Sequence, residues 1–251
     1  MEWRDEGIVL YTRPMGERSH LVSLLTKDRG KENGAVRVSK KDVSILEVGT
    51  CVSATWKARL ETQLGFMTLE MTHPTSALLL DDAIGLRLLQ CASVLAYMTL
   101  PQGYPYPNLY NAFLGFLGSI YPQRGAQLKA FIQFEMTLLQ ELGFGLDLKR
   151  CAVTGIQEGL VAVSPKTGRA VSHEPAQPYL DKLLPLPAFL TSANDDFPPL
   201  SEILKALDLT GYFLERYLLS SLSLEMPKVR GELKRFVHRF GNREKETHYA
   251  S

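Results

Sequence analysis

Residues 51–60 read Cys-Val-Ser-Ala-Thr-Trp-Lys-Ala-Arg-Leu, and the reading of this stretch decides the fold. Val52, Ala54, Trp56, Ala58 and Leu60 fall on one side of an extended chain, and Ser53, Thr55, Lys57 and Arg59 fall on the other. Successive side chains of a strand point to opposite faces, so the alternation predicts one buried face and one wet face. Trp56 belongs to the apolar face and is assigned to the core. Phe66–Met71 is predicted to pair with this strand across Thr62-Gln63-Leu64-Gly65. Upstream, Trp3–Arg13, His20–Thr26 and Ala35–Val38 are further strand candidates, with Asp28-Arg29-Gly30 as a turn between two of them. About five short antiparallel strands in roughly 70 residues is the size of a small barrel, with an OB-fold as the leading candidate.

The texture changes near His73-Pro74, where the period becomes helical. Ser76–Leu100 is predicted as one long helix, Pro101–Pro107 as a rigid turn, and Leu109–Ile120 and Gln127–Leu142 as further helices. In the last of these Leu128, Phe131, Ile132, Leu138, Leu139 and Leu142 form a stripe at helical spacing, with Glu135 on the same stripe. A catalytic carboxylate is conceivable there, but a polar residue in such a stripe usually pairs locally or reaches the rim. Gly159–Ser172 reads as a hairpin turning at Ser164-Pro165-Lys166-Thr167-Gly168. The Pro-rich residues 173–200 form a connection with one short helix near Tyr179–Leu184. Ser201–Leu222 is helical, and Pro227 starts a last amphipathic helix carrying Val229, Leu233, Phe236, Val237 and Phe240 on one side. Glu244–Ser251 is a frayed tail. The expected organisation is α+β. An OB-fold occupies residues 1–75. A mainly helical domain occupies 76–251, with a hairpin inserted near 151–175.

The chain has 251 residues, 45% of them hydrophobic and 22% charged, with 28 Lys+Arg against 27 Asp+Glu. That composition suits one large or two ordinary globular domains and excludes a disordered chain. The N-terminus, Met-Glu-Trp-Arg-Asp-Glu-Gly, is too acidic for a signal peptide, and Ala77–Leu100 holds Asp81, Asp82 and Arg87, which a membrane span would not readily accept. Cys51, Cys91 and Cys151 are odd in number and far apart, so no disulfide framework is expected. A cytoplasmic location follows from these readings.

A near-neutral total excludes a protein basic all over its surface, but not local segregation. Residues 27–41 hold Lys27, Arg29, Lys31, Arg37, Lys40 and Lys41 against Asp28 and Glu32, a local +4. Residues 228–243 hold Lys228, Arg230, Lys234, Arg235, Arg239 and Arg243 against Glu232, a local +5. Lys57 and Arg59 add charge on the wet face of their strand. OB-type grooves bind single strands by combining such charge with stacked aromatics, for which Phe66 has the right strand parity and Tyr11 is a second candidate. Lys27, Arg29, Arg37, Lys40, Lys41, Lys57 and Arg59 are therefore candidate nucleic-acid contacts. Lys228, Arg230, Lys234, Arg235 and Arg239 are candidate partner contacts. The plain alternative is that each run is a solvated face.

Enzyme chemistry finds no support. There is no P-loop, no G-x-G-x-x-G and no G-x-S-x-G, and His20, His73, His173, His238 and His248 are scattered. Asp81-Asp82 and Asp195-Asp196 are adjacent pairs whose side chains diverge on a helix.

The order of elements resembles a known family. Gly7-Ile-Val-Leu-Tyr-Thr-Arg13, then Gly16-Glu17-Arg18-Ser19, Leu21, Leu24, Thr26 and Gly30, resembles the opening hairpin of the bacterial recombination mediator RecO family. Phe134-Glu135, Leu138-Leu139, Leu142-Gly143-Phe144, Leu146, Leu148 and Cys151 resemble that family's central helix and its exit, and Cys151–Gly155 with Ser164–Gly168 resembles its zinc-ribbon-like hairpin. The resemblance runs in order along essentially the whole chain. It implies an N-terminal OB-fold and a C-terminal helical domain. It also implies binding to single- and double-stranded DNA and annealing of complementary strands. Finally it implies partnership with RecR and loading of RecA onto strands coated by single-stranded-DNA-binding protein (SSB), whose acidic tail members of the family bind. Two departures stand out. Where zinc-binding members carry Cys-x-x-Cys pairs, this chain has Cys151 and Thr154, then Ser172 and Pro175. One thiolate does not hold a structural zinc, so no metal is expected and the hairpin is left to packing. Ala35–Lys41 also lacks the expected glycine-rich basic character, although Arg37, Lys40 and Lys41 keep the charge. An adaptor binding acidic tails with little affinity for DNA, and an OB-fold RNA-binding module, are the alternatives.

Overall fold

A computed structural model describes residues 1–39, 42–60, 63–79, 81–119, 124–192 and 197–239. Five strands, β1 (Glu2–Pro14), β2 (Ser19–Thr26), β3 (Gly30–Arg37), β4 (Cys51–Lys57) and β5 (Gly65–His73), close into a barrel in the order β1-β2-β3-β5-β4. All pairings are antiparallel except β3 with β5. This is the OB arrangement. β1 pairs with β4 through its first half and with β2 through its second, and a register shift between Val9 and Tyr11 bends it between the two partners.

The period of two in β4 is obeyed. Val52, Ala54 and Trp56 are buried with Val9, Val22, Leu24, Val36 and Met67 in the barrel core, while Lys57 is exposed. The strand stops there, and Leu60, expected on the apolar face, is 55% exposed beyond its end. β3 begins five residues earlier than its β-branched residues suggested. The tight turn from β2 holds Gly30–Gly34 in register, with Thr26 opposite Gly30, and long-range pairing outweighs the weak strand propensity of Lys-Glu-Asn-Gly. Gly65 is required at the start of β5, since a Cβ there would lie 2.2 Å from the Trp56 indole.

The helix predicted over 76–100 is divided. A 3-10 turn, Ser76–Leu79, precedes α1 (Ala83–Thr99), and the Asp82 carboxylate accepts from the Ile84 and Gly85 amides. An aspartate that satisfies two orphan amides is an N-cap, so the helix starts at it instead of running through it. α1 packs on β1: Tyr97 stacks on Tyr11 at 4.3 Å between ring centroids. α2 (Pro107–Ser119) starts with proline, whose missing N–H is an orphan at that position in any helix. By packing, the chain divides into compact units Met1–Tyr121 and Pro122–Ser251. The unit that holds the barrel also includes α1 and α2.

In the second unit α3 (Arg124–Glu141) buries Leu128, Phe131, Ile132, Phe134, Leu138 and Leu139. The hairpin β6 (Leu160–Val163) and β7 (Ala170–Ser172) is present, and Leu184–Pro185 (β8) pairs with the other edge of β6. The helix expected near Tyr179–Leu184 is therefore replaced. A single turn, α4 (His173–Ala176), and a 3-10 turn, Gln177–Tyr179, come before it. Pro185 fits such an edge strand, where an amide donor is not needed. α5 (Leu200–Phe213) continues as a π-helical stretch, Leu214–Leu219. Pro227 leads into α6 (Lys228–Gly231), and residues 233–239 are helical after a break at Glu232. Phe240, Arg243 and the tail from Glu244 lie outside the described residues. None of the described helices is long and apolar enough to cross a membrane.

Candidate nucleic-acid interface

The register of β4 and β5 places Lys57 opposite Phe66, Thr55 opposite Thr68 and Ser53 opposite Glu70. β1 extends the same surface, with Glu2 opposite Lys57 and Arg4 opposite Thr55. On this polar wall Phe66 is the exception, 58% exposed. Parallel pairing sets Phe66 beside Ala35 of β3, and Arg37 follows two residues on, on the same side. The Arg37 guanidinium carbon lies 5.9 Å from the centre of the Phe66 ring, a cation–π contact. Lys57 Nζ is 2.9 Å from a Glu2 carboxylate oxygen, with both side chains more than half exposed. Such a pair is worth at most about 1 kcal/mol, so a phosphate competes for the ammonium at little cost. Arg59 is exposed just beyond β4. Arg37, Phe66 and Lys57 thus form one cluster, with Arg59 two residues beyond Lys57 in the chain. It borders a groove of about 510 Å³ between β3, the 3-10 turn Val43–Leu46 and β5.

The remaining bases of the 27–41 run do not join it. Lys27 and Arg29 lie at the opposite end of β3, about 23 Å from Arg37 at the usual rise of an eight-residue strand. Their turn is pinned to β1, because the Asp5 carboxylate accepts from the Asp28 amide at 2.9 Å. Lys27 approaches Glu6 at 3.9 Å, and Arg29 lies over the Trp3 ring, which stacks on Trp56. Lys31 turns inward to donate to the Tyr97 carbonyl at 2.8 Å, and burial lowers its pKa. Lys40 and Lys41 lie outside the described residues. Tyr11 is half-buried with its ring against Tyr97, whereas Phe66 is exposed, so Phe66 is the better stacking platform.

In the second unit the five basic candidates also separate. Arg230 is only 4% exposed. Its guanidinium donates to both Glu135 carboxylate oxygens and to the Leu207 carbonyl. The Thr210 hydroxyl donates to Glu135 at 2.6 Å. A buried charge needs such a partner, so Arg230 is withdrawn from the surface set and Glu135 is a structural anchor at the place where a catalytic carboxylate was conceivable. Lys234 pairs with Asp208 at 2.5 Å. Lys228, Arg235 and Arg239 remain exposed. The stripe made Glu135 conspicuous in the sequence; a partner 95 residues away gave no local signal.

At the hairpin, Cys151 Sγ accepts from the Val153, Thr154 and Ser172 amides at 3.4, 3.5 and 3.3 Å, and from the Ser172 hydroxyl at 3.2 Å. Burial pushes the thiol pKa up, but these bonds favour the thiolate more and bring it down to about 6. Two positions where the resemblance expects metal ligands, Thr154 and Ser172, thus donate to the sulfur. Among the described residues no three His, Cys, Asp or Glu side chains gather as a metal site requires.

A closed OB barrel followed by a helical unit with a small three-stranded sheet defines the class: a two-unit OB-fold protein. Residues 1–74 match the family model for the recombination protein O N terminal, and residues 82–225 match that for its C terminal. The chain is 41% identical over 244 residues to the DNA repair protein RecO of Rhodospirillum centenum, covering 96% of this chain and 95% of that protein. It is 42% identical over 236 residues to that of Granulibacter bethesdensis, covering 93% and 94%. Against that of Caulobacter vibrioides it is 39% identical over 237 residues, covering 92% and 95%. The chain belongs to the recombination protein O family.

Proposed function

We propose that this chain is a DNA repair and recombination mediator whose barrel binds the phosphates of single- and double-stranded DNA and anneals complementary strands. Family membership supports the repair role. The observation that carries the interface is the Arg37–Phe66–Lys57 cluster on the rim of an OB barrel. In this reading Arg37, Lys57 and Arg59 are the first phosphate contacts, Lys27 and Arg29 form a second point further along the barrel, and Lys40 and Lys41 stay candidates from the sequence alone. Two strands repel through their phosphates; fixed cations lower that repulsion, and base pairing then proceeds from the DNA's own energetics. The work is done by binding and needs no bond-making residue and no cofactor. Residues 1–75 supply the DNA-binding module, and the protein acts in the cytoplasm, on the chromosome.

The second unit serves protein partners in the same proposal. Lys228 on α6 and Arg235 and Arg239 on the helical stretch after Glu232 are exposed bases, a charge pattern suited to the acidic tail of SSB. With RecR, the protein would help RecA onto SSB-coated strands. Annealing of complementary oligonucleotides tests the reading. Wild-type protein should accelerate it, and Arg37→Ala/Lys57→Ala/Arg59→Ala should remove most of the acceleration. A variant as active as wild type would refute the assignment, and no acceleration by wild-type protein would refute the function.

A further inference from the structure

We propose that the groove beside Phe66 is a seat for one unpaired nucleobase, so that the barrel distinguishes single strands from duplex by stacking as well as by charge. This deepens the DNA-binding reading and rests on it. The floor of the groove is apolar and fixed: Val36, Ile45 and Met67 are all buried. Its rim carries the exposed hydroxyls of Ser44 and Thr68, which can donate to or accept from a base edge, and the Asp42 carboxylate, which accepts from the Ser39 hydroxyl and can accept from a base amino group. Phe66 stands at the rim with more than half its surface in water, and Arg37 sits over its ring. An exposed aromatic ring, an adjoining apolar floor, hydroxyls and a guanidinium supply the four contacts a nucleotide needs: stacking, burial, edge hydrogen bonds and a phosphate partner.

Charge and geometry select this occupant. Lys57 lies directly across the strand pair from Phe66, and Arg59 follows it, so a backbone running past these cations would bring a base to the ring. The base must be unpaired. In a duplex both faces of each base are covered by its stacked neighbours, and the phosphates alone meet the protein. A single strand can turn one base out at small cost and recover it on the aromatic ring.

The test compares two oligonucleotides of equal length and charge, oligo(dT) and an abasic sugar-phosphate strand, together with a blunt duplex. Binding to the whole protein is measured by fluorescence anisotropy at one salt concentration. One stacked base should make oligo(dT) bind roughly 5- to 150-fold tighter than the abasic strand. Phe66→Ala should remove that ratio, so that oligo(dT) and the abasic strand bind alike, and Phe66→Trp should restore it. Phe66 is a surface residue, and an unchanged circular dichroism spectrum and thermal midpoint confirm folding of each variant; should Phe66→Ala not fold, Phe66→Leu carries the same expectation. Equal affinity of wild-type protein for oligo(dT) and the abasic strand overturns the inference while leaving phosphate binding intact. Failure of all three ligands to bind overturns the DNA-binding reading itself. Tight binding of an acidic, aromatic-containing peptide that is lost in Phe66→Ala, with no difference between the two strands, assigns the groove to a protein partner and also overturns the inference.

Discussion

Replacing Arg230 by alanine is expected to destabilise the helical unit far more than loss of a surface charge. The Glu135 carboxylate is fully buried and accepts two bonds from the guanidinium and one from Thr210. Removing Arg230 leaves a buried anion with one hydroxyl donor and also frees the Leu207 carbonyl. Breaking a buried pair from one side costs about 3–5 kcal/mol, because the remaining charge is uncompensated. With a urea m-value of about 1–3 kcal/mol/M, the unfolding midpoint should fall by roughly 2 M. Far-UV circular dichroism follows the helices, while Trp3 and Trp56, the only two tryptophans, report on the barrel; the probes are recorded separately because a two-unit chain need not unfold in one step. The double change Glu135→Leu/Arg230→Met removes both charges and should recover most of the lost stability. The reasoning fails if Arg230→Ala costs under about 1 kcal/mol, the value of an exposed pair. It fails equally if the double variant is as unstable as the sum of the single changes.

Cys151 should titrate with a midpoint near 6, read as thiolate absorbance in a Cys51→Ser/Cys91→Ala background; a midpoint above 8 would mean the four sulfur contacts do not form in solution. Because this folded pKa lies below the ordinary thiol value of about 8.5, its contribution to stability is complete above that value and is lost as pH falls through 6. Ser172→Ala removes the hydroxyl donor and should raise the midpoint. Gly65→Ala should destabilise the barrel by about 1–3 kcal/mol and shift tryptophan emission, since the new methyl must displace the Trp56 indole; an unchanged spectrum and midpoint would contradict the close approach.

The barrel was legible because its signal is local. The alternation in Cys51–Leu60 names the core residues of β4 without any knowledge of their partners, and a pleated chain has only two faces on which to place them. The start of β3 was not legible, since Gly30–Gly34 is held extended by its pairing with β2 and not by its own preferences. The break before α1 was present in the sequence as Asp82, but an apolar period on both sides masked it. For the interface, composition located the bases in the chain but not in space. A basic run of 15 residues reads as one patch, yet β3 carries Lys27 and Arg29 to one end and Arg37 to the other, and Lys31 turns toward Tyr97. The contact of Arg37 with Phe66 depends on the parallel β3–β5 pairing that closes the barrel, and no spacing along the chain encodes it. Arg230 shows the same limit: the basic run after Pro227 presents some bases to solvent and one toward a buried carboxylate, and only the partner decides which is which.

The central claim is that Arg37, Lys57 and Arg59 meet DNA phosphates, and the salt dependence of single-strand affinity tests it most directly. The logarithm of the binding constant should fall linearly with the logarithm of salt concentration, by about 0.7 per contacted phosphate. Arg37→Ala/Lys57→Ala/Arg59→Ala should reduce the slope by about 2, three contacts at 0.7 each. Lys228→Ala/Arg235→Ala/Arg239→Ala, which removes the same net charge from the other unit, should leave it unchanged. Equal slopes for wild type and the barrel variant, or the larger loss in the helical variant, would contradict the account.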